Sequence, residues 1–124
     1  MKSNHEQAKE FRRLYRIKSS ESKPVRQYQC DLITEEYQEF IEAEGMLFRD
    51  TDKYKEECLK ELADLVYVCY QYAANMGWDL DRALKLIHES NLSKLDEDGN
   101  PIYREDGKVL KGPNYKKPNL HSLI

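Results

Sequence analysis

The stretch LITEEYQEFIEAE, residues 32–44, sets five glutamates among enough large apolar side chains to build a core helix. From residue 25 to residue 48, Ile33, Tyr37, Phe40, Ile41, Leu47 and Phe48 recur at helical spacing. At about 100° per residue they fall in one arc. Glu35 and Glu42 lie far from that arc, Glu36 lies at its edge, and Glu39 sits on the same flank beside Leu32 and Ala43. Glu36 and Glu39 are therefore expected to border the core, while Glu42 and Glu44 keep the helix solvated.

The rest of the chain reads outward from this helix. Ala8, Phe11, Leu14 and Ile17 suggest a short first helix, followed by the polar loop KSSESKP at residues 18–24, with Pro24 suited to a first helical turn. After the polar RDTDKY, residues 53–76 read as a third helix closed by Gly77. Its centre, CLKELADLVYVCYQYAA, is apolar on nearly every side and is expected to be the most buried helix. Asp79 reads as the N-cap of a fourth helix with the stripe Leu80, Ala83, Leu84 and Ile87, ending near ESNLSK. The remainder holds most of the Gly and Pro, and PIYREDGKVLKG reads as a hairpin turning at Asp106-Gly107. The expectation is one all-α domain, with a helical core over about residues 5–94 and a C-terminal flap or arm over about residues 95–124.

Charge is unevenly spread. Residues 31–64 carry twelve acids against four bases, which argues against a nucleic-acid groove and suits a site that collects cations. No apolar run is long enough to cross a bilayer and the N-terminus lacks the apolar stretch of a signal peptide, so a cytoplasmic location without membrane contact is expected, the host cytoplasm if the source is viral. Cys30, Cys58 and Cys69 form no Cys-x-x-Cys pair and read as reduced core residues. His5, His88 and His121 show no ligand spacing.

Two acidic motifs carry the chemistry: Glu35-Glu36-x-x-Glu39 on one helix and Glu61-x-x-Asp64 on the next. Residues three apart share a helix face, so antiparallel neighbours can each present a pair of carboxylates to one gap. Such a cluster is costly unless a cation fills it. All-oxygen ligation without Glu-x-x-His indicates a hard ion, Mg²⁺ or Mn²⁺. Magnesium bound in this way takes further ligands from substrate phosphates, which makes a nucleotide polyphosphate the natural substrate class. The competing reading pairs Glu61 and Asp64 with Lys or Arg from another helix.

These motifs, with Gly77, Leu80, Ala83 and Asn91-x-x-Lys94, resemble the MazG-like all-α nucleoside triphosphate pyrophosphohydrolases over about residues 25–95. The ending DGNPIYREDGKVLKGPNY is similar to that of the short single-domain members from phages and bacteria. The resemblance implies a four-helix core assembling as homodimer or homotetramer. It also implies hydrolysis of a (deoxy)nucleoside triphosphate to the monophosphate and pyrophosphate, in nucleotide-pool trimming or sanitation. Glu36, Glu39, Glu61 and Asp64 match its Mg²⁺ ligands, and Glu35 matches the first glutamate of the motif, whose part is to support the ligands or to orient the water. Asn91 and Lys94 match positions facing the nucleotide, and Arg104, Lys108, Lys111 and Tyr115 are candidates for contacts from a flap. For those last four, a plain solvated hairpin is the competing reading.

The family also holds relatives acting on dUTP, dCTP or phosphoribosyl-ATP, and nine tyrosines, Trp78 and Phe11 leave the base pocket open. A reading of another class is a non-catalytic helical oligomerisation or binding module whose acids form a solvated face.

Overall fold

The computed structural model describes residues 1–124 and is all-helical: α1 (Asn4–Leu14), α2 (Lys23–Glu44), α3 (Asp52–Asn75) and α4 (Leu80–Leu92), with short 3-10 turns at Leu47–Arg49 and His121–Leu123. No helix is long and apolar enough to cross a membrane. The chain divides into two compact units, Met1–Trp78 and Asp79–Ile124, so α4 groups with the C-terminal segment rather than with the three helices before it.

In the first unit, local chemistry marks where each helix starts. Ser3 Oγ accepts from Glu6 N at 3.1 Å, Pro24 occupies the first turn of α2, and Thr51 Oγ1 accepts from Tyr54 N. After α3, Gly77 adopts φ +75, a left-handed conformation that lets the backbone turn sharply away from the helix. α2 stops at Glu44, four residues short of the apolar periodicity, because the chain tightens into the 3-10 turn after Gly45.

The α2–α3 pair is the backbone of this unit. Its inward positions on α2 include Gln29, Leu32, Ile33, Glu36, Phe40 and Ala43, a spacing of threes and fours. On α3 they include Tyr54, Cys58, Glu61, Leu65, Val68, Tyr72 and Asn75. The pair runs antiparallel: Glu36 and Glu39 meet Glu61, whereas Gln29 borders the same cavity as Val68 and Gln71. α1 lies along α3 with residue numbers rising together, since Gln71 Nε2 donates to Ala8 O and Arg12 donates to Asn75 Oδ1.

Several apolar side chains expected in the core lie outside it. Tyr37 and Ile41 are exposed, as are Leu59, Leu62, Val66 and Tyr67 along α3. α3 does carry the buried Tyr70, Gln71, Ala73 and Asn75, but only its C-terminal third is enclosed. Two helices cannot cover a third that is apolar all round, so one flank stays open. Cys30 is also exposed, because its neighbour Gln29 takes the inward position; Cys58 and Cys69 are half-buried, and all three are free.

In the second unit, Asp79 Oδ1 caps α4 by accepting from Arg82 N at 3.0 Å. The hairpin forms around a single antiparallel bridge, Tyr103 with Val109, and turns through Gly107 at φ +90. Its return is fastened to the end of α4: Gly112 N donates to Lys94 O at 2.8 Å, Ser90 Oγ to Lys116 O at 2.7 Å, and Lys116 N to Ser93 Oγ at 2.8 Å. A Cβ at Gly112 would stand 2.4 Å from Leu95 O, so this approach requires glycine.

Candidate active site

α2 contributes Glu36 and Glu39, one turn apart, and α3 contributes Glu61 opposite them. One carboxylate oxygen from each lies within 4.8 Å of the others. Glu36 Oε2 and Glu61 Oε2 are buried without a hydrogen-bond partner. Leaving charged acceptors so placed is unfavourable unless a proton or a cation joins them. Hydrogen bonding and charge repulsion from Glu36, followed by burial and then by Glu61, push the Glu39 carboxyl from 4.5 up to about 7. The glutamates thus relieve their repulsion in part by keeping a proton, and the all-oxygen donor set has the chemistry of a hard divalent cation site.

Asp64 stands apart from this trio. Lys60, four residues earlier on α3, places its ammonium 2.7 Å from Asp64 Oδ2 and 3.4 Å from Glu61 Oε1. Asp64 raises the Lys60 pKa first and Glu61 adds to it. The fourth carboxylate expected at the gap is therefore held by a lysine of its own helix at the geometry that suits i,i+4 pairs. This partner comes from neither of the other helices, so it is not the buried inter-helix bridge considered as an alternative. Glu35 is exposed on the outer side of α2.

The remaining candidates belong to the second unit. Asn91 is exposed at the end of α4, and Lys94 is half-buried where its carbonyl receives Gly112. Arg104 is engaged by Asp106 at 2.5 Å, which raises the guanidinium pKa and lowers that of the carboxyl. The Lys111 ammonium lies 4.7 Å from the centre of the Tyr115 ring, a cation–π contact. Lys108 supplies the carbonyl that Arg104 N meets across the hairpin.

Sequence reasoning passed over a second polar cluster in the first unit. Arg12 is 5 % exposed and donates to Gln71 Oε1 at 3.3 Å, Asn75 Oδ1 at 3.2 Å, Ser19 Oγ at 3.2 Å and Lys18 O at 3.5 Å. Burial lowers its pKa. Asn75 also binds Ser20 in both directions, accepting from its N at 3.0 Å and donating to its O at 2.9 Å, which pins the loop between α1 and α2. Gln29, 3 % exposed, carries an Oε1 with no donor. A signal was present: Gln71 and Asn75 interrupt the apolar α3 four residues apart, and Gln29 precedes Glu36 by two turns.

No curated protein matches the chain. Residues 5–91, which span α1 to the end of α4 and include both acidic motifs, match the family described as phosphoribosyl-ATP pyrophosphohydrolase. That match supports release of pyrophosphate from a nucleotide-like substrate, within the broader MazG-like class of pyrophosphohydrolases. The chain belongs to the phosphoribosyl-ATP pyrophosphohydrolase family, whose members are hydrolases of acid anhydrides.

Proposed function

We propose that the protein hydrolyses (deoxy)nucleoside triphosphates to the monophosphate and pyrophosphate in the presence of Mg²⁺, with Mn²⁺ able to substitute, and so trims or cleans the nucleotide pool. The observation that carries this reading is the convergence of Glu36, Glu39 and Glu61 with two orphaned carboxylate oxygens. These three would hold the cation, with Asp64 joining when it parts from Lys60. Bound there, Mg²⁺ supplies Lewis-acid polarisation of a phosphoryl oxygen and acidifies a coordinated water.

The protein's own groups account for the rest. Water adds at the α-phosphorus, the bond from that phosphorus to the α–β bridging oxygen breaks, and pyrophosphate leaves with the bridging oxygen and the electron pair of the broken bond. The proton lost by the water needs a carboxylate acceptor near neutral pH. Glu39 would be engaged with the cation, so Glu35, one turn before it on α2, is assigned to orienting the water and accepting that proton. Asn91, Lys94, Arg104, Lys111 and Tyr115 are proposed as substrate contacts, the cations offsetting phosphate charge and Asn91 and Tyr115 offering directed hydrogen bonds. The exposed α3 flank of Leu59, Leu62, Val66 and Tyr67 supports assembly with a second copy, as homodimer or homotetramer.

The deciding experiment measures pyrophosphate against orthophosphate released from a panel of ribo- and deoxynucleoside triphosphates and phosphoribosyl-ATP, with Mg²⁺ or with EDTA. Mg²⁺-dependent pyrophosphate from a subset of triphosphates is the expected result. Release from phosphoribosyl-ATP alone would move the substrate to the one in the family's description. Folded protein that releases nothing from any of them would favour a non-catalytic binding module.

A further inference from the structure

A cavity of about 520 Å³ opens within the first unit, bounded by α1, α2 and α3. Its volume falls in the range of roughly 300–1,000 Å³ typical of small-molecule sites. Phe11, Tyr28 and Tyr67 give it aromatic walls, and Leu32 and Val68 add apolar surface. Against these stand polar side chains that are almost fully buried. Gln29 lines the cavity and its Oε1, enclosed behind the wall, meets no donor, while Arg12 lines the cavity bonded only to uncharged acceptors.

A buried acceptor left unmet destabilises a fold, and leucine at this position would avoid the loss. Beside an aromatic cavity, where the soft terminal torsion of glutamine lets the amide turn inward, this unmet acceptor points to a ligand that supplies the missing N–H. Gln29 and Glu36 lie seven residues apart on α2, about 10 Å along the axis at about 1.5 Å per residue and nearly on one face. A nucleotide with its phosphates at the glutamates is long enough to set its base at Gln29. Aromatic rings stack on any base, whereas one directed acceptor distinguishes among them.

We infer that this cavity receives the base of the nucleotide and that Gln29 is its specificity-determining residue, its Oε1 accepting an N–H from the base edge. The inference rests on the nucleotide reading above and deepens it by assigning the base-reading group.

The test uses nucleosides and metal-free protein, so that binding is read without turnover. Adenosine, cytidine, guanosine and uridine are titrated by tyrosine fluorescence, each beside an N-methylated form that lacks the relevant N–H. The wild type should bind at least one nucleoside about tenfold more tightly than its methylated form, the effect of one unmet buried acceptor. Gln29→Leu should bind both forms alike, and its Tm should equal or exceed that of the wild type, because an orphaned acceptor is gone. A purely structural glutamine would instead give a lower Tm. Gln29→Met provides the same comparison if leucine packs poorly.

Absence of discrimination in the wild type, or its persistence in both variants, overturns the assignment. Nucleoside discrimination in a protein that releases no pyrophosphate would overturn the reaction and leave the pocket standing. Pyrophosphate release with a base preference that Gln29→Leu preserves would do the reverse.

Discussion

Two polar clusters lie fourteen residues apart on α3, one at Glu61 and one at Asn75. Around Asn75 the protein satisfies its own groups: the buried Arg12 guanidinium is met by two side-chain amides, a hydroxyl and a carbonyl, and Ser20 is bonded twice. Around Glu61 the groups repel one another, two oxygens have no partner, and Glu39 keeps a proton up to about pH 7. The Arg12–Gln71–Asn75 network is complete and serves the fold, with only the Oε1 of Gln29 beside it left unmet. The second is incomplete without something from solution, and that asymmetry separates a structural network from a working site more reliably than charge count or burial alone.

Mutation should therefore divide the two. Glu61→Gln deletes a carboxylate without deleting volume, and pyrophosphate release should fall by more than the roughly 10–100-fold that follows loss of an outer-sphere partner at a metal site. Its urea midpoint without metal should hold or rise, because a source of repulsion has gone. A variant that keeps its activity would place the site elsewhere. Asn75→Ala should do the opposite to the fold, costing about 2–4 kcal/mol in urea denaturation as Arg12 and the Ser20 backbone lose partners. A loss within experimental error would show that the network is not structural.

A smaller effect concerns added metal. At a concentration one hundred times its Kd, Mg²⁺ or Mn²⁺ should stabilise the wild type by about 2.7 kcal/mol, seen as a rise in Tm. Glu39→Gln should reduce that rise, and an equal rise in the variant would remove Glu39 from the ligand set. The smallest effect is on pH dependence. The folded pKa of Glu39, about 7, lies above its ordinary 4.5, so between those values the folded chain holds a proton that the unfolded chain has released. Stability of the metal-free protein should thus fall as pH rises through this window, and Glu39→Gln should flatten the slope. A slope of the other sign would mean that the three carboxylates do not share a proton.

Much of this architecture was legible in the sequence because it is local. The caps at Asp79 and Gly77, the start of α2 at Pro24 and the turn at Asp106-Gly107 each follow from one or two residues with a conformational preference. The placement of Glu36 and Glu39 followed from helical phase, and their meeting with Glu61 from the short connection after α2. Tertiary choices were less accessible. α3 is apolar all round, so its periodicity did not say which flank would be covered, and Leu62 and Val66 proved to lie outside. Lys60 was adjacent to the motif, but only geometry showed its hold on Asp64. Gln71 and Asn75 were visible as interruptions, yet their partner Arg12 lies about sixty residues away and no local pattern connects them.

The latch at the end of α4 has an evolutionary side. Lys94 and Gly112 are joined through their backbones, and Ser90 and Ser93 hold Lys116 just beyond. The residues between form a loop whose two ends are fixed independently of its length. Because the entropy of closing a loop grows only slowly with residues added, this arm can lengthen or shorten around the Glu105-Asp106 tip at little expense to its anchor. Such a segment lets a lineage vary its surface by insertion and deletion while the glutamate-bearing helices stay unchanged. Gly112, with no room for even a methyl group, is the hinge pin on which that freedom depends.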